Sequence, residues 1–168
     1  EPIRIPAPET HTDYEVELAV VIGRTATRVA RADALDHVFG YTVTNDVSAR
    51  DVQFRDSQIT LGKNADSFCP LGPEVVTADE LPDPSALHVA TYVNGERRQH
   101  GDLSDMIWNV PHMIEFLTRM YRLEPGDMIF TGTPAGVGPV VPGDRLEGRI
   151  AGLTPLLVEI LPPAPAAQ

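Results

Sequence analysis

Residues 14–22 alternate in a way that β-strands use and helices do not. Tyr14, Val16, Leu18, Val20 and Ile22 fall on one face of such a strand, and Glu15, Glu17, Ala19 and Val21 on the other. Successive side chains of extended backbone point to opposite sides of a sheet. The second face therefore begins acidic and turns apolar within one strand. Two carboxylates at the edge of a buried face repel each other, so they must be solvated, protonated or neutralised by a cation. A strand end emerging into water meets the first condition and a bound metal ion the last. The spacing alone leaves both readings open.

The remaining segments are short. Residues 33–39 predict a helix with Gly40 as its stop, and residues 41–46 a second strand. Residues 47–55 read as a helical turn or loop, and 62–73 carry too many turn residues for a regular element. Strands at 87–93 and 96–99 join through the hairpin signal Asn94-Gly95. Residues 106–121 contain a helix, with Pro111 in its first turn and Ile114, Leu117 and Tyr121 on one face. Strands at 128–131 and 145–150 each follow a Pro-Gly-Asp turn, and a last strand covers 156–161. The prolines make residues 1–8 extended. No βαβ alternation occurs, so the expected class is α+β, mainly β, with a few short helices. A length of 168 residues suits one core. A single domain over 1–161 is expected, followed by a disordered tail over 162–168.

The formal net charge of −11 argues against a nucleic-acid partner, which requires clustered Lys and Arg. It suits a cation, although ordinary solubility charge accounts for most of the acids. No apolar run is long enough to cross a bilayer and no N-terminal targeting segment is visible, so no membrane partner is expected. A lone cysteine, Cys69, excludes an internal disulfide framework and a Cys-rich zinc site. A cytoplasmic location is the default expectation. Between Phe68 and Pro70, Cys69 reads as a small buried hydrophobe, with a catalytic thiol as the minority reading.

Asp46 ends the second strand, where a third carboxylate would complete an all-oxygen site suited to Mg2+, Mn2+ or Ca2+ rather than Zn2+. Alone, such a residue is more often a strand-end or turn cap. Arg50 and Gln53 could share the face of a turn after Asp46, the first clamping a carboxylate and the second orienting a carbonyl or water. A solvated turn with Arg50 paired to Asp51 is the alternative. Lys63 beside a metal could stabilise an enolate or carboxylate, and by itself is otherwise surface charge. Residues 131–138, Thr-Gly-Thr-Pro-Ala-Gly-Val-Gly, expose backbone N–H groups and two hydroxyls that suit an anion. They lack the Gly-Lys-Ser/Thr ending of a phosphate loop, and a bulged hairpin corner explains them as well. His112 and Glu115 have the spacing of an acid–base pair but read as a helix surface. No serine has a placed His and Asp.

The order of these signals is more specific than any one of them. Residues 13–23 resemble the strand that supplies two metal ligands in the fumarylacetoacetate hydrolase family. Residues 40–51 resemble the segment supplying the third, 62–73 its active-site lysine stretch, and 125–138 its closing signature. The resemblance runs over residues 13–160. It implies a mixed β-roll, a homodimer, and Mg2+ or Mn2+ held by Glu15, Glu17 and Asp46, with Ca2+ a further candidate. It makes Arg50, Gln53 and Lys63 catalytic, and places them with Thr133 on the substrate side. The implied substrates are 2-oxo and 1,3-dicarbonyl acids, typically acylpyruvates. Their C–C bond would be hydrolysed through an enolate that the metal and Lys63 stabilise. Decarboxylation of oxaloacetate, or isomerisation of the 2-hydroxyhepta-2,4-dienedioate type, would use the same enolate. The family's His-x-x-Glu pair on an upstream lid has no counterpart before Tyr14, and His112 and Glu115 do not occupy its place. A lid segment ahead of Glu1 is the expected explanation. A metal- or ligand-binding module without catalysis is the alternative from another class.

Overall fold

The computed structural model describes residues 1–7, 10–55 and 57–165. Twelve strands run in the order β1 (Ile3–Arg4), β2 (Thr12–Tyr14), β3 (Val16–Ile22), β4 (Val38–Asn45), β5 (Ser48–Ala49), β6 (Val76–Thr77), β7 (His88–Val93), β8 (Glu96–Asp102), β9 (Met128–Phe130), β10 (Gly138–Pro139), β11 (Arg145–Ile150) and β12 (Leu156–Leu161). Two α-helices, α1 (Arg50–Gln53) and α2 (Val110–Thr118), and four 3-10 turns complete the described elements. The mainly β class expected from the sequence is the one observed.

The strands form a five-stranded sheet, β1-β12-β11-β7-β8, a four-stranded sheet, β6-β4-β3-β9, and a small sheet, β10-β2-β5. The two larger sheets face each other across the core. A Cβ on Gly148 of β11 would lie 3.0 Å from Val16 on β3 and 3.2 Å from Val43 on β4. Val16, Leu18, Val20 and Ile22 are fully buried and pack with Tyr41, Val89, Leu146, Ile150 and Ile160. Each such aliphatic side chain contributes on the order of 2 kcal/mol. That burial offsets the cost of holding polar groups at the end of β3.

Three local readings need correction. The alternating run is not one strand: it breaks at Glu15, where β2 turns off to pair with β5 and β10 while β3 pairs with β4 and β9. Residues 31–37 form a 3-10 helix that feeds straight into β4, so Gly40 does not stop it. Gly40 lies inside β4, where a Cβ would come within 2.2 Å of the Val76 carbonyl oxygen. Close strand approach, not helix termination, is what requires glycine there. Of the face proposed for the second helix, Ile114 is buried but Tyr121 is 60% exposed, because α2 ends at Thr118.

The hairpin signal is realised, with Asn94 and Gly95 both in the left-handed region. The extended N-terminus becomes β1, paired with β12, while Pro8 of that stretch lies outside the described residues. The tail expected over 162–168 lies outside them for residues 166–168. Among the described residues no helix is long and apolar enough to cross a membrane.

Candidate metal centre

The break at Glu15 and the end of β4 place three carboxylates together. The Glu15 N–H donates to Asn45 Oδ1 at 2.8 Å, and the Asp46 N–H donates to the Glu15 carbonyl at 2.7 Å. These two bonds lock the turn after β4 against the start of β3. Glu15, Glu17 and Asp46 each offer an oxygen, all within 4.8 Å of one another. The residues singled out on separate stretches of chain thus converge.

Glu17 is 4% exposed. Its Oε2 accepts the Gly132 N–H at 2.8 Å. Burial pushes its carboxyl up to about 7, the Gly132 N–H pulls it back, and the charges of Asp46 and Glu15 add to the rise.

Two cations serve this cluster. Lys63 Nζ donates to Glu15 Oε2 at 3.1 Å, to Ser48 Oγ at 3.0 Å, and to Asp46 Oδ2. All three ammonium protons are therefore committed. Burial works to lower its pKa, but the bonds to Asp46 and Glu15 outweigh it and hold the ammonium above the usual lysine range. Arg50 Nε donates to Asp13 Oδ2 at 2.8 Å, Nη1 to Gln53 Oε1 at 2.9 Å, and Nη2 to Glu15. Arginine has only donors, so this bond fixes the Gln53 amide with its nitrogen turned away. Asp51, the alternative partner for Arg50, instead accepts the His11 N–H at 3.2 Å.

Tight packing of the lysine turn on α1 sets these positions. A Cβ on Gly62 would lie 2.6 Å from the Gln53 Cβ. Only glycine lets the turn carrying Lys63 approach Gln53 this closely.

Asp13, Glu15, Glu17 and Asp46 supply four negative charges when ionised, against one each from Arg50 and Lys63. The balance is −2, with the exposed His11 beside Asp13 taken as neutral. A divalent cation would neutralise it, and an all-oxygen donor set suits a hard ion. The residues present therefore fit Mg2+ or Mn2+.

Thr133 reaches the chain between Glu15 and Glu17 and spends its hydroxyl on the fold: the proton goes to the Val16 carbonyl at 2.7 Å, and the oxygen accepts from Gln99 at 2.8 Å. Asp13, Asn45, Ser48 and Gln99 were not singled out from the sequence. Asp13 carries the only hint, since it shares the acidic strand start; the other three are polar residues with no telling spacing.

The minority readings fare otherwise. Glu115 pairs with Arg31 at 2.6 Å, tying α2 to the first 3-10 helix, and His112 stacks on Trp108 with ring centroids 4.5 Å apart. Cys69 is half-buried, and desolvation pushes its thiol up to about 11. A thiol with a raised pKa is protonated at neutral pH and is a poor nucleophile. Iodoacetamide is expected to modify Cys69 slowly at pH 8, with a rate that climbs only toward pH 11. Fast labelling at pH 8 would contradict the burial argument.

A family model described as "Fumarylacetoacetate (FAA) hydrolase C-terminal" matches residues 1–160. Oxaloacetate tautomerase YisK of Bacillus subtilis is 54% identical over 126 residues, covering 75% of this chain and 42% of that protein. The solved 5-carboxymethyl-2-hydroxymuconate delta-isomerase of Mycobacterium smegmatis superposes with TM-score 0.92 at 40% identity, over 98% of this chain and 64% of that one. Fumarylpyruvate hydrolase of Pseudomonas aeruginosa, solved in complex with Mn2+ and pyruvate, superposes with TM-score 0.89 at 35% identity, over 95% and 70%. The chain spans about half the length of the curated relatives it matches.

Proposed function

The chain belongs to the fumarylacetoacetate hydrolase family, and we propose that it is the catalytic domain of a Mg2+- or Mn2+-dependent enzyme that works through the enolate of a 2-oxo acid. Hydrolysis of the C–C bond of an acylpyruvate is the first reading. Isomerisation or tautomerisation is the second, favoured by the identity to an oxaloacetate tautomerase. The observation that carries both is the convergence of Glu15, Glu17 and Asp46 with Lys63 and the Arg50–Gln53 pair.

Glu15, Glu17 and Asp46 would hold the cation. A divalent ion there supplies Lewis-acid polarisation of the substrate's keto oxygen. Arg50 has two N–H groups beyond its three bonds to Asp13, Gln53 and Glu15, which suits a carboxylate. Gln53, its oxygen taken by Arg50, presents its amide N–H groups to the same ligand. Lys63 lies beside the carboxylates and places a positive charge where enolate charge develops, which is the largest single contribution such sites make. Thr133 contributes its backbone N–H, its hydroxyl proton being spent on Val16. A homodimer is the assembly we propose.

The test is to incubate the full-length protein with Mn2+ or Mg2+ and either an acylpyruvate or enol-oxaloacetate. Pyruvate release and the loss of enol absorbance are followed separately. Metal-dependent turnover of one of them, abolished by EDTA, is expected. Binding of Mn2+ and oxalate with no turnover of either would leave a ligand-binding module instead.

A further inference from the structure

We propose that Gln99 is a positioning residue for the carboxylate cluster, an inference that rests on the metal reading above. Gln99 is 1% exposed, on a strand whose other residues are exposed or half-buried. Its Oε1 accepts from Thr91 Oγ1 at 2.8 Å and from the Val16 N–H at 3.3 Å. Its Nε2 donates to Thr133 Oγ1 and to the Pro134 carbonyl, both at 2.8 Å. Both donors and both lone pairs are used. Turning the amide over would set N–H against the Val16 N–H and oxygen against the Pro134 carbonyl, so its orientation is fixed.

The need for such a residue comes from the sheet. β9 ends at Phe130, short of the start of β3. Thr131 continues the edge, its N–H and hydroxyl both donating to the Leu18 carbonyl at 3.2 and 3.0 Å. One step further, the Val16 N–H and carbonyl have no strand beside them. Gln99 takes the first and Thr133, itself held by Gln99, takes the second. Val16 is the residue between Glu15 and Glu17. Gln99 thus anchors, from the opposite sheet, the peptide units that aim both carboxylates. It also anchors the 131–134 turn whose Gly132 N–H binds Glu17.

The experiment measures the Mn2+ dissociation constant of the full chain by calorimetry for wild type, Gln99→Met and Glu17→Ala, each well below its own melting midpoint. Methionine keeps the length and loses all four bonds. Gln99→Met is expected to bind Mn2+ about tenfold more weakly, the lower end of what groups supporting metal ligands contribute, and Glu17→Ala not to bind measurably. A packing role alone would lower the melting midpoint and leave Mn2+ affinity unchanged. That result, with Glu17→Ala impaired, overturns the role of Gln99 and leaves the metal reading standing. Unchanged affinity in Glu17→Ala overturns the metal reading and this inference with it. If Gln99→Met does not fold, Gln99→Glu replaces it: the acceptor toward Val16 is kept, both amide donors are lost, and the same loss is expected.

Discussion

Glu17→Gln is expected to remove Mn2+ binding and to lower metal-dependent kcat/KM roughly a thousandfold, while making the metal-free protein more stable than wild type at pH 8. The two effects have opposite signs and one cause. Glutamine keeps an oxygen for the Gly132 N–H but carries no charge. In wild type the Glu17 carboxyl is raised from 4.5 to about 7 by burial, so the folded state holds this proton more tightly than the unfolded chain does. The group's favourable contribution is complete below pH 4.5 and is lost as pH rises through 7. Above that, ionised Glu17 costs on the order of 3 kcal/mol in the metal-free protein. The variant escapes this cost, and its advantage should shrink toward pH 5. Wild type should gain about 2.7 kcal/mol from Mn2+ at a hundred times its dissociation constant, and the variant nothing. Thermal melts at pH 5 and pH 8, with and without Mn2+, read all of this. A wild-type Mn2+ shift in the variant would remove Glu17 from the site.

How much of this was legible in the sequence depended on whether the cause was local. The alternation of Val16 to Ile22 and the Asn94-Gly95 turn are set by neighbours along the chain, and both were read correctly. The break at Glu15 was not, because it arises from β2 pairing with residues far away in sequence. Gly40 was misread for the same reason: its constraint comes from Val76 on another strand. At the site, Glu15 and Glu17 are conspicuous as charged groups heading an apolar strand, whereas Asp46 and Lys63 are ordinary one by one and gain a role only from the order of segments that resembles the family. Gln99 did not, since it sits among Glu96, Arg97, Arg98 and His100, all exposed. Only the fold reveals that this one polar side chain points into the core.

Lys63→Met separates two roles that the geometry gives to one ammonium group. It is the counter-charge between Glu15 and Asp46, and it is the group we assign to the developing enolate. Removing it leaves two part-buried carboxylates, 13% and 16% exposed, with Arg50 still on Glu15 and, among the described residues, no cation paired with Asp46. The metal-free variant should lose about 2 kcal/mol, between the values for surface and fully buried pairs. A divalent ion can replace the counter-charge, so saturating Mn2+ should restore most of that stability. It does not restore the ammonium charge that the proposal assigns to the developing enolate. Turnover should therefore stay down by roughly 10²–10³-fold at every Mn2+ concentration. Urea unfolding and steady-state rates over one Mn2+ titration give both readings. Recovery of turnover in step with stability would mean that Lys63 only neutralises the carboxylates, and that the chemistry assigned to it belongs elsewhere.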